Sequence, residues 1–238
     1  MGTQPNWVVQ PHGPLVTHSD NLWSVEGTIG MPTGPLSRRM TLARLGNGAL
    51  VIFSAIALSE DEMRQVERLG RPAYLVVPNA FHREDAPGWK ARYPQMRVVT
   101  PQGARAAVEE LMGVDACGDI FDDPSVRFLT VPGTQDAESA LLVSSQDGKT
   151  LVVNDLIGNV RNARGLMKLA LSLMGFAGRK PQVPRMFVAR VVKDRTEVAA
   201  QFRQWAVVPD LRRIVVSHGD IIERDAGAVL SGLADRLA

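Results

Sequence analysis

One cysteine, Cys117, in 238 residues leaves no internal disulfide and no metal site built on several thiolates. A lone thiol suits a reducing compartment and reads as a small buried hydrophobe rather than a nucleophile. Histidine is almost as scarce: His12, His18, His82 and His218 are the full supply. No apolar run approaches the roughly 20 residues that span a bilayer, and the greasiest stretch, Leu166 to Phe176, contains Lys168. The first twenty residues are polar, with Pro and Gly, and hold no apolar signal core. The expectation is a soluble, cytoplasmic protein. Charge of one sign is missing too, with 27 Lys and Arg against 25 Asp and Glu. Basic residues are not interleaved with aromatics in a stripe, so neither nucleic acid nor membrane is expected as a partner. The pairs Arg38-Arg39, Arg161 with Arg164, Arg179-Lys180 and Arg212-Arg213 read as solvated surface. His12 and His18 read as exposed.

What is present suits a globular chain. Hydrophobic residues make up 45% of the sequence, enough for a sizeable core. The length favours one αβ-layered domain, taken as residues 21–238 behind a loose lead-in of residues 1–20. Strands are expected at Asn21–Glu26, Arg39–Leu45 and Ala49–Ser54, the last two joined by the Gly46-Asn47-Gly48 turn. Ser59 followed by Glu62 opens a helix that Gly70 closes. Strands follow at Ala73–Val77, Arg97–Thr100, Val126–Val131, Ser139–Ser144, Thr150–Val153 and Arg213–Val216. Helices are expected near Trp89, from Pro101 to Met112, from Asn162 to Gly175, from Thr196 to Trp205 and from Glu223 to Leu237. Two successive sets of hairpin plus βα units predict two mixed sheets packed face to face with helices outside, an α/β fold of the αββα sandwich type.

Two strand ends carry chemistry. Ile214-Val215-Val216 runs into Ser217-His218-Gly219, and Leu151-Val152-Val153 runs into Asn154-Asp155. Ligands and metals gather at the carboxyl ends of strands in α/β layers. Gly27–Gly34 lacks a Gly-Lys-Ser/Thr ending and a following helix, so it reads as a flexible loop near the site rather than a phosphate loop. The apolar helix around Met167, Leu171, Leu173, Met174 and Phe176 reads as core or as a lid. A dimer face or an apolar substrate channel is the alternative.

Taken in order, Asn21–Glu26, Arg39-Met40-Thr41, Pro78–His82, Trp89–Pro94, Asn154-Asp155-Leu156 and Ser217-His218-Gly219 make the chain resemble the metallo-β-lactamase-fold superfamily. The resemblance is to a divergent branch with a degenerate metal motif. The usual loop, His-x-His-x-Asp-His after an apolar strand, meets Pro78–Asp85 here. Aligned directly, its ligand positions fall on Asn79, Phe81, Arg83 and Glu84. Slid by one residue they fall on Ala80, His82, Glu84 and Asp85, which keeps one imidazole and two carboxylates and is preferred. The usual Pro-Gly-His becomes Pro132-Gly133-Thr134. The bridging aspartate matches Asp155, and the last histidine matches His218.

Four histidines, two of them in the lead-in, cannot furnish a two-metal centre of this kind. The resemblance then implies at most one divalent metal (zinc, or iron or manganese) on His82, Asp155, His218 and Asp85, or no metal, with His218 bonded directly to Asp155. Two functions stay open. One is a metal-dependent hydrolase, or an oxidoreductase, with the hydrolase acting on a small ester, amide or thioester and Asp155 or Glu84 orienting water or acting as base. The other is a non-catalytic member that binds a small molecule or a protein partner without metal, with Phe81 making its pocket apolar. A homodimer is left open in either case. Both readings need residues 82, 155 and 218 to meet.

Overall fold

The computed structural model describes residues 7–31, 34–161 and 165–238. Its first sheet holds β1 (His12–Ser19), β2 (Leu22–Met31), β3 (Gly34–Arg44), β4 (Ala49–Phe53), β5 (Arg71–Val76) and β6 (Arg97–Val99), in that spatial order. The first four strands run antiparallel, and β4, β5 and β6 are parallel. The crossovers between them carry α1 (Glu60–Leu69) and α2 (Ala86–Arg92). A short 3₁₀ turn, Gln102–Ala104, leads into α3 (Arg105–Glu109). The second sheet has β7 (Val126–Thr130), β8 (Ser139–Ser145), β9 (Gly148–Asn159) and β10 (Leu211–Gly219) in the order β10-β9-β8-β7, with only β9 and β10 parallel. Between β9 and β10 come α4 (Gly165–Met174), α5 (Arg185–Arg190) and α6 (Arg195–Ala206), and α7 (Ala226–Leu237) closes the chain.

Strand alternation assigns the layers. In β4, Ala49, Val51 and Phe53 face the second sheet, and Leu50 and Ile52 face α1 and α2. In β10, Val215 joins the inter-sheet core, while Ile214 and Val216 pack against Phe202 and Trp205 of α6 and Leu230 of α7. Three apolar layers therefore separate four layers of structure, and the αββα sandwich is the observed architecture. Ser59 caps α1 through its hydroxyl, which accepts from the Glu62 amide, as the Ser-x-x-Glu spacing predicts. Among the described residues, no helix is long and apolar enough to cross a membrane.

Several expectations change. His12–Ser19 is a strand of the first sheet, not a loose lead-in, because it pairs with β2. Neither histidine there is free: the His12 Nε2 accepts from the Ser59 amide at 2.9 Å, and the His18 Nε2 lies 2.7 Å from the Ser24 hydroxyl. Burial first, and then the charges of Arg39 and Arg213, lower the His18 pKa to about 4. Gly27 to Met31 and Gly34 belong to β2 and β3 rather than a loop, with Pro32 and Thr33 outside the described residues. The helix expected over 101–112 shrinks to the 3₁₀ turn and α3, and α5 was not expected. The helix expected from Asn162 begins at Gly165, residues 162–164 lying outside the described residues. Cys117 is half-buried, not core. Arg38, Arg39 and Arg213 are buried rather than solvated, each beside a carboxylate: Asp85, Glu26 and Asp147.

Candidate metal centre

The site forms where β4, the loop after β5, β9 and β10 come together. The chain leaves β4 through Ser54, which adopts a left-handed backbone with φ of 55° while its amide donates to the Val76 carbonyl at 3.1 Å. Such a conformation is costly for a residue with a Cβ and is held only by its surroundings. It sets the hydroxyl 2.8 Å from the Nδ1 of His82.

His82 is placed by Asn79. The Asn79 side-chain oxygen accepts from the Phe81 amide at 2.8 Å and the His82 amide at 3.1 Å, an Asx turn that bends the chain inward. The two amide hydrogens of the same side chain go to Glu138 Oε2 (2.7 Å) and Asp155 Oδ2 (2.8 Å). Asn79, at a ligand position in the direct alignment, is thus a buried template.

Asp155 lies inside β9, which runs four residues beyond it, rather than at the strand's end. Its Oδ1 is 3.2 Å from His218 Nε2 and 3.4 Å from His82 Nε2, and the two Nε2 atoms are 3.2 Å apart. His218 follows a register shift in the β9–β10 ladder. Its Nδ1 is 2.6 Å from the Ser37 carbonyl oxygen of β3. A carbonyl only accepts, so that nitrogen carries the proton, and the lone pair of a neutral ring sits on Nε2, facing Asp155. The Phe176 ring packs edge-on against the His218 ring, at a centroid separation of 5.2 Å.

The three expected residues therefore meet, in the one His/Asp/Glu/Cys group among the described residues that could hold an ion. A tetrahedral ion with bonds of about 2.0–2.1 Å needs donors about 3.3–3.4 Å apart. The observed separations of 3.2, 3.2 and 3.4 Å meet that requirement. Each imidazole is also held through its other nitrogen, the arrangement that orients histidine ligands. The donor set fits one divalent metal.

The two carboxyls of the centre are shifted in opposite directions. Burial works to raise the pKa of Asp155, but charge and hydrogen bonds from His82 and His218, which call for a proton on Nε2, outweigh it and hold the carboxyl well below the usual range. Asp155 is an anion. Burial, helped by that negative charge, pushes the pKa of Glu138 well above the usual range. Sequence reasoning passed over Glu138 and Ser54. A serine just past an apolar strand was a readable signal for Ser54, whereas an isolated Glu138 between loop and strand offered none.

Other expected residues stand apart. Asp85 is not in the donor group: its carboxylate pairs with Arg38 Nη1 at 2.5 Å. Burial nonetheless raises its pKa, with Arg38 pulling the other way. Glu84 lines the pocket mouth. Thr134 spends its hydroxyl on the Val131 carbonyl at 2.6 Å and stays out of the site. The group opens into a cavity of ≈220 Å³ whose walls include Ile29, Leu36, Phe81, Met174, Phe176 and Phe187.

Two stacked mixed sheets between helices, with residues carried by both sheets meeting in one site, define the metallo-β-lactamase fold, and this chain has it. Solved metallo-β-lactamases match it over nearly their full length. The one from Hirschia baltica superimposes with a TM-score of 0.62 at 10% identity, covering 94% of this chain and 98% of the other. FIM-1 from Pseudomonas aeruginosa, in its mono-zinc form, gives 0.60 at 12%, covering 98% of each chain. The enzyme from Pontibacter korlensis gives 0.62 at 12%, covering 93% and 98%. No protein-family model and no curated protein sequence matches the chain.

Proposed function

We propose that the protein is a hydrolase that uses one divalent metal ion on a small ester, amide or thioester with an apolar acyl portion. The observation that carries the reading is the donor triangle of His82, Asp155 and His218, with sides of 3.2, 3.2 and 3.4 Å, open to an apolar pocket. The ion, when bound, supplies Lewis acidity toward a carbonyl oxygen and acidifies water. Everything else is the chain's own work. Ser54 and the Ser37 carbonyl fix the imidazoles through Nδ1, and Asn79 anchors the second oxygen of Asp155. With both its oxygens engaged, Asp155 is a poor base, so proton removal falls to Glu84 at the mouth. The apolar walls exclude water and hold the acyl portion. Asn79 and Glu138 fill the space beneath Asp155, which supports one ion rather than two.

The test is metal content by emission spectrometry after purification without chelator, with turnover of nitrophenyl esters and thioesters as the activity readout. Near-stoichiometric metal, lost together with activity in His82→Ala and His218→Ala, is the expected result. A second reading, a pocket that binds a small molecule without metal, is favoured by the direct contacts among the three side chains. A melting temperature indifferent to EDTA and to added zinc, iron and manganese would establish it over the first.

A further inference from the structure

The helix that roofs the pocket is apolar on both sides. Leu171 of α4 is buried in a small cluster with Leu36, Phe176 and Ala177, and Met174 lines the cavity. On the opposite side Leu166, Leu169 and Leu173 are 77%, 59% and 67% exposed. Their spacing, i, i+3 and i+7, puts them on one face. Phe81, across the mouth, is 52% exposed. Three leucines bared along one short helix are not the scattered single apolar residues of an ordinary surface.

The segment that carries this face is one-sided in charge. From Leu156 to Lys193 the chain contains no Asp or Glu. Arg161, Lys168, Arg179, Lys180, Arg185 and Arg190 are all exposed in that segment. The carboxylates nearby come from elsewhere: Asp220, 3.9 Å from Arg161, and Glu84 at the mouth. A second copy of this chain would set these cations against one another. An anionic bilayer surface complements both features, taking the leucines into its interface and its headgroups to the cations.

We infer that α4 docks the protein on an anionic lipid surface, with the pocket mouth beside the bilayer. This departs from the expectation of no membrane partner, and it does not depend on whether the site below holds a metal. The experiment is co-sedimentation of the full chain with vesicles of phosphatidylcholine alone and of phosphatidylcholine with 30% phosphatidylserine, at low and at high salt, beside analytical ultracentrifugation without lipid. Partition onto the anionic vesicles, weakened by salt and weak on neutral ones, is expected. Each of Leu169→Gln and Leu173→Gln weakens it about tenfold or more. Arg179→Gln and Lys180→Gln, outside the helix, weaken it about fivefold each. Circular dichroism of each variant verifies that the fold is kept. No partition onto anionic vesicles, equal partition onto neutral ones, or a dimer that falls apart in the leucine variants without any vesicle binding would each overturn the inference.

Discussion

Ser54 carries two separable contributions, one to the orientation of His82 and one to the fold. Its hydroxyl holds the Nδ1 of His82 at 2.8 Å, and its backbone sits at φ of 55°. Ser54→Ala removes the hydrogen bond and keeps the strain. Loss of such an orienting contact weakens metal binding by about 10–100-fold, or about 1.4–2.7 kcal/mol. Ser54→Gly removes the same bond but relieves the backbone. A left-handed residue with a Cβ costs about 1–2 kcal/mol, while glycine loses about 0.5–1 kcal/mol of unfolded-state advantage. The glycine variant is therefore expected to be more stable than the alanine variant by about 0.5–1 kcal/mol, with equally poor metal affinity. Zinc titration calorimetry reads the first quantity, and urea denaturation of metal-free protein reads the second. Parental affinity in both variants would refute the role given to the hydroxyl. An alanine variant at least as stable as the glycine variant would refute the strain.

Three further outcomes follow from particular contacts. Glu138 has a folded-state pKa raised above the ordinary 4.5, so its favourable contribution is complete below that value and is lost as pH rises toward the folded-state value. Glu138→Gln, with nothing to titrate, should gain on the parent by up to about 1.4 kcal/mol per pH unit above 4.5; urea midpoints at pH 5, 6 and 7 check this, and parallel curves would contradict the raised pKa of Glu138. Gly219 sits at φ of 102°, and a Cβ there would lie 2.3 Å from the Asn159 carbonyl oxygen. Gly219→Ala should therefore shift the adjacent His218, lowering both thermal stability and zinc affinity, and unchanged values of both would contradict the close approach. Removing one partner of the buried Arg38–Asp85 pair, as in Arg38→Met, should cost about 3–5 kcal/mol in urea denaturation. The double variant Arg38→Met with Asp85→Leu should recover most of it, and a double variant no better than the single would contradict the pairing.

The layered architecture was readable because apolar periodicity switches cleanly between 2 and 3.6 along most of the chain. In β4 the unbroken apolar run Ala49–Phe53 marks a strand buried on both faces, with Leu50 and Ile52 facing one way and Val51 and Phe53 the other. The meeting of His82, Asp155 and His218 was readable because each comes shortly after an apolar run (Leu75-Val76-Val77, Leu151-Val152-Val153 and Ile214-Val215-Val216), although Asp155 and His218 lie within their strands rather than past them. Asp85 was misread because charge pairing is not local. Its partner, Arg38, lies 47 positions upstream in an arginine pair that read as solvated surface. The β1 strand was missed because its residues are mostly polar and half-exposed, as an edge strand allows, so it carries little apolar alternation to detect. Asn79 was read as a lost ligand, whereas its side chain spends every donor and acceptor on building the loop and anchoring Asp155.

One charge organises the centre. Asp155 is ionised and almost fully buried, and Glu138, which shares the Asn79 amide with it, has its pKa pushed well above the usual range. A buried anion needs a positive partner. Ser37 supplies only a carbonyl, so His218 must keep its Nδ1 proton and can present only a lone pair or a second proton on Nε2. The partner of Asp155 is then either a proton carried on the imidazole Nε2 atoms or a cation held between them. Proton and metal compete for the same nitrogens, which is why a metal-bound hydrolase and a metal-free binding pocket draw on one set of contacts. What separates the two functions is the occupant of a triangle whose sides already match the span of a small divalent ion, not a rearrangement of the fold.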